Sequence, residues 1–198
     1  MASLNPYTGL QNFFSEKFPK SGGGSEGGTG MPLTNDQAKV LLQATMKRQA
    51  LHALLSLALN LGLSLQECLQ IERKDVNFDD HTLHLKTPIR DIKLTEAPLR
   101  AIADHIRNPP TSNGHPPTTL LFNYSDRTIQ RAIEDLGLGT LGFSISWSSL
   151  RRTWAVRCFE NNVRIESMVA YSGASVDSLS KWAVLGKIGK DLPLELFE

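Results

Sequence analysis

Four arginines, Arg151, Arg152, Arg157 and Arg164, fall close together in the second half of the chain, with only Glu160 as an opposite charge among them. A guanidinium fork grips phosphate oxygens in pairs, so these four, with Lys47, Arg48 and Lys86, are the candidates for contact with DNA. On one helix, positions 151 and 152 point apart and 157 lies four residues from neither, so they do not form a single basic stripe. A solvated face with local ion pairs accounts for them equally well. The formal charge of +1 over 198 residues argues against a protein held to nucleic acid by bulk charge.

Other reactive side chains are sparse. Tyr7 and Tyr124 lie outside apolar helical patterns, and Tyr171, in an apolar helix before Gly173, reads as a packed aromatic with a hydrogen-bonded hydroxyl. His52, His81, His84, His105 and His115 show no zinc-ligand spacing, so neither a metal nor a cofactor is expected. Cys68 and Cys158 sit in helical segments rather than a disulfide framework, which points to a reducing, cytoplasmic setting. The longest apolar run, "ALLSLALNLGLSL", is too short to span a bilayer, and "MASLNPYTGL" lacks the pattern of a secretory signal.

The elements that would position these groups follow from periodicity and punctuation. Residues 21–30, "SGGGSEGGTG", have nothing to pack and read as a flexible, engineered linker, which divides a fused peptide (1–20) from a domain (31–198). In the peptide, Leu10, Phe13, Phe14 and Phe18 recur at helical spacing, giving a short apolar face that needs a groove to lie in. The domain opens with a capping box at Thr34 and Gln37. "QALHALLSLALNLG", apolar nearly all round, and "SLQECLQIERKDV", apolar on one face, predict two helices joined at Ser64. "HTLHLKTPIRDIKL" alternates around Thr87 and Pro88 and predicts a β-hairpin or small sheet. "TEAPLRAIADHI" predicts a helix, "RNPPTSNGHPPTT" a surface loop, and the remainder is mostly helical. The expected fold is mainly α with a small β-element.

In order and spacing, "LNLGLSLQECLQIERKDVNFDDHTLHLK", "LLFNYSDRTIQRAI" and "SSLRRTWAVRCFENNVRIESMVAYSGAS" resemble the catalytic domain of tyrosine recombinases and phage integrases. In that family a tyrosine attacks a DNA phosphodiester while two arginines, a hairpin lysine and histidine-type donors offset charge and move protons. The resemblance matches Lys86 to the hairpin lysine and Arg151 to the second arginine. It also implies losses: Ser64 stands at the first arginine, Ser148 at the first histidine of H-x-L-R-H, Arg152 at the second, and Ala174 at the histidine of L-G-H. The nucleophile falls at Trp182 or Ala183, neither of which carries an attacking oxygen.

A fold kept without its reaction is therefore the expectation. The protein would be a non-enzymatic adaptor of a complex that handles DNA, docking the partner-derived peptide through Leu10, Phe13, Phe14 and Phe18. Double-stranded DNA binding without cleavage is the second reading, and residual strand transfer the third. Nothing in the sequence fixes an oligomeric state.

Overall fold

The computed structural model describes residues 30–108 and 119–191. The peptide, almost all of the linker and the central part of the proline-rich loop thus lie outside the described residues, and with them Leu10, Phe13, Phe14 and Phe18.

The first helix, α1 (Asn35–Thr45), starts at the expected capping box: the Gln37 amide donates to Thr34 Oγ1 at 3.2 Å, and the Thr34 amide donates to Gln37 Oε1 at 2.9 Å. It covers α2 (Gln49–Leu61), whose all-round apolar sequence makes it the central helix, buried from Leu51 to Leu61 except at His52 and Asn60. Gly62 then turns the chain in the left-handed region, at φ 67°. A Cβ there would collide with the Trp154 indole, so both the turn and the packing require glycine.

After this corner comes α3 (Leu65–Gln70), which is shorter than its amphipathic pattern predicts. Ile71 turns extended because this segment pairs with another part of the chain: the Leu121 amide donates to Ile71 O, the Arg73 amide to Thr119 O, and Glu72 bridges to Leu120. Tertiary pairing overrides local helical periodicity here. A 3₁₀ turn, Arg73–Asp75, leads into an antiparallel sheet of order β1-β2-β3: β1 (Val76–Asn77), β2 (Thr82–Lys86) and β3 (Ile89–Lys93). Leu83 opposite Ile92, and Leu85 opposite Arg90, set the register with the apolar side chains inward.

Five more helices complete the fold: α4 (Glu96–Arg107), α5 (Asp126–Leu141), α6 (Trp147–Glu160), α7 (Ile165–Ser172) and α8 (Val176–Asp191). The central α2 packs on α4 and α6, and α8 lies along α6. One large apolar cluster runs from Leu33 through α2, the sheet and α5 to Leu150. A second, built on Trp154, Ala155, Met168, Ala174 and Leu179, joins α6, α7 and α8. Among the described residues no helix is long and apolar enough to cross a membrane.

Candidate functional site

The corner between α2 and α3 is closed by a reciprocal cap. Ser64 Oγ accepts from the Glu67 amide at 3.2 Å, while the Ser64 amide and hydroxyl both donate to Glu67 Oε2, at 2.7 and 2.6 Å. The other oxygen of this buried carboxylate accepts from Arg90 Nη2 at 2.5 Å. Arg90 reaches in from β3, on the same face as Ile92, and its Nε and Nη1 donate to Tyr171 O and Pro88 O at 3.1 and 3.2 Å. Glu67 thus holds the cap with one oxygen and a nearly buried guanidinium with the other.

On the opposite wall stands Arg151 of α6. Its Nε donates to Gly62 O at 2.8 Å and its Nη2 to Ser172 O at 3.4 Å, and its Cζ lies 5.4 Å from the centroid of the Trp182 ring. Burial pushes its pKa down and Glu67 pushes it up; an arginine starts so high that it stays charged. Arg90 and Arg151 therefore meet the carbonyls that end α7, which carry the negative end of the helix dipole. Gly173 follows at φ 63°, with the Arg90 guanidinium 3.1 Å from the position of a Cβ. A substituent there would press on Arg90.

Between these walls is a cavity of about 300 Å³. Ser64, Gln66, Gln70, Arg151, Ala174 and Trp182 line it, and Thr87 and Pro88 of the hairpin tip form its rim. The structure thus brings together four of the positions that the sequence singles out: Ser64, Arg151, Ala174 and Trp182. Ala183 is half-buried beside them but does not line the cavity.

The other positions do not line this cavity. Lys86 is paired with Glu72 and stands 3.4 Å from Asp75, while Lys74 holds the second Glu72 oxygen at 3.0 Å. Hydrogen bonds from Lys86 and Lys74 hold the Glu72 carboxyl below its usual range, and Glu72 in turn raises the Lys86 ammonium. Ser148 is exposed on α6, and Arg152 donates to the Gly30 carbonyl. Arg157 is half-buried further along α6; Lys47 and Arg48 are exposed in the α1–α2 turn, and Arg164 is exposed 3.8 Å from Glu166. Tyr171 is half-buried, its hydroxyl donating to Lys93 O at 3.2 Å.

Two residues that organise the site escape the sequence reading, although each leaves a trace. Ser64 and Glu67 have the S-x-x-E spacing of a capping box, and Arg90 stands two residues from Ile92, on the inward face of an alternating strand. A cation at an inward position asks for a buried partner.

No family model and no curated protein sequence matches the chain. Solved structures do. XerA recombinase superposes with a TM-score of 0.69 at 21% identity over 82% of this chain and 66% of its own. The fold is that of a tyrosine-recombinase catalytic domain. XerH recombinase bound to difH substrate matches the same fold at a TM-score of 0.65 and 16% identity, over 81% of this chain and 53% of its own. Tn1549 integrase in complex with circular intermediate DNA gives 0.63 and 13%, over 89% and 70%. The recombinase fold here therefore spans between about half and 70% of the length of these three proteins.

Proposed function

We infer that this chain keeps the recombinase fold without the reaction and acts as an adaptor in a DNA-handling complex, such as one for mobile-element maintenance, replication or transcription control. The observation that carries this reading is the composition of the cavity. Ser64 is engaged by Glu67, Ala174 has no side-chain proton donor, and neither Trp182 nor Ala183, where the resemblance puts the nucleophile, carries an attacking hydroxyl. Strand cleavage needs an attacking hydroxyl together with groups that offset phosphate charge, and losing several cooperating groups leaves little activity. Arg90 and Arg151 do not fill the gap, because Arg90 is engaged by Glu67 and two main-chain carbonyls, Arg151 is held by two carbonyls through Nε and Nη2, and neither supplies an attacking oxygen.

The test is a nicked suicide duplex incubated with the full chain. No covalent protein–DNA adduct should appear on a denaturing gel, and an adduct would overturn the reading.

The adaptor's ligand is the apolar face of residues 10–18, supplied by a partner and tethered here through residues 21–30. Tethering at effective concentrations on the order of millimolar keeps even a weak ligand bound. Truncating Phe13, Phe14 or Phe18 to alanine should each cost about 2 kcal/mol or more of docking energy, read as a lower melting temperature of the full chain. Unchanged melting in all three would remove the docking claim.

DNA binding without cleavage is the second reading. It is favoured by the exposed cations Lys47, Arg48 and Arg164 and by the DNA bound to the XerH and Tn1549 proteins. Anisotropy with labelled duplex at two salt concentrations checks it, since phosphate contacts weaken as salt rises. Absence of binding at low salt leaves only the adaptor.

A further inference from the structure

His105 of α4 is a titratable group that the recombinase cavity does not use, and it is only 5% exposed. Its ring lies on that of Phe122, with centroids 5.1 Å apart and planes 6° from parallel. Nε2 stands 2.9 Å from Leu121 O; a carbonyl can only accept, so Nε2 carries the proton and the imidazole is held in one tautomer. Nδ1 then presents a bare lone pair, buried and with no hydrogen-bond partner. Buried polar atoms are seldom left that way.

The bond that His105 makes belongs to a larger clasp. Leu121 uses both main-chain groups, its carbonyl taking His105 and its amide donating to Ile71 O at 2.7 Å. The Arg73 amide donates to Thr119 O at 3.1 Å, and Glu72 bridges to Leu120. His105 thus ties to α4 the segment that draws Ile71–Arg73 out of helical conformation. A proton added to Nδ1 would create a buried cation whose new N–H has nothing to donate to.

The charged groups around the ring offer no compensation. Arg73, on the segment held by the clasp, is a like charge. Asp104, next to His105 on α4, is turned to Arg107 at 3.4 Å, and Glu72 and Asp75 are paired with Lys86. The helix α2, packed on α4, contributes no charged side chain, and its His52 is bonded to Thr45 and Leu42 O. Burial first, and the Arg73 field with it, push the His105 pKa below its ordinary 6.5, although the Leu121 carbonyl pulls it upward.

We propose that His105 is an acid-operated latch: protonation at Nδ1 expels the ring from its place on Phe122, frees Leu121 O and lets residues 119–122 part from α4 and from Ile71–Arg73. Once opened, the imidazole takes up its proton near 6.5, whereas the closed one does so only at lower pH. Closure is therefore fully favoured above 6.5 and loses ground as pH falls from there toward the lowered value. With one proton taken up on opening, the opening constant grows about fivefold between pH 6.5 and 5.5.

Amide hydrogen exchange of the full chain, read by NMR and corrected for intrinsic exchange, tests the latch. Protection of the Arg73 and Leu121 amides should fall about fivefold between pH 6.5 and 5.5, while that of Leu57 in α2 holds. Imidazole nitrogen spectra at pH 7 should show Nε2 protonated and Nδ1 bare. In His105→Gln, whose amide nitrogen stands in for Nε2 without titrating, protection at Arg73 and Leu121 should be flat over the same range. A proton on Nδ1 at pH 7, unchanged protection in wild type, an equal loss in the variant, or an equal loss at Leu57 would each overturn the latch, the last because the whole domain would then be yielding to acid. Should the variant fail to fold, the tautomer and the wild-type contrast between Leu121 and Leu57 decide by themselves.

Discussion

The two matched cations, Lys86 and Arg151, have opposite fates. Lys86 sits at the end of β2 among Glu72 and Asp75, at the protein surface, where screening by water leaves an ion pair little to contribute. Arg151 is enclosed on α6, fixed by the carbonyls that end α2 and α7 and covered by an indole. A cation at a position that the resemblance matches can become surface decoration or structural support. Which it becomes depends on whether the fold leaves it in water.

This contrast is broken most severely through the buried side. Glu67→Ala should cost about 3–5 kcal/mol in urea unfolding, because it strands the Arg90 guanidinium without its anion as well as dissolving the cap. The double variant E67L/R90M should lose much less than the two single changes summed; simple additivity would mean the pair is not coupled. Arg151→Met comes next, at about 2–3 kcal/mol for two charge-assisted bonds to carbonyls. Arg151→Lys should recover only part of that, since an ammonium cannot reproduce the fork.

Ser64→Ala removes a helix cap and should lower stability by about 1 kcal/mol. Ser64→Arg should yield no covalent DNA adduct in the suicide-substrate assay, since Ala174 and Trp182 are unchanged.

The smallest effect belongs to the exposed side and shows only in acid. Lys86 and Lys74 hold the Glu72 carboxyl below its ordinary value of 4.5, so its contribution is complete above that pH and disappears as pH falls through the lowered value. Glu72→Gln should leave melting near pH 7 almost unchanged and flatten its decline between pH 5 and 3, measured by circular dichroism. An equally steep decline would show that the pair contributes nothing to the acid response.

Much of the fold was legible because local and tertiary signals agree. The Thr34 cap, the all-apolar α2 and the alternation around Thr87 and Pro88 each lead to the observed element. Agreement failed at Ile71, where helical periodicity continues but pairing with the 119–121 segment draws the backbone straight. The site was legible in part. Chain order brings Ser64, Arg151, Ala174 and Trp182 to one cavity, whereas the Glu67–Arg90 bond joins residues twenty-three positions apart and depends on the hairpin's placement against α3. Periodicity along one element carries no record of such a bond.

Trp182 gives the molecule an optical readout of its own. Trp147 and Trp154 are buried, so a water-soluble quencher reaches the half-buried indole of Trp182 first. Emission from that ring, seated on a guanidinium and facing an open hollow, should respond to anything that fills the hollow without any added label.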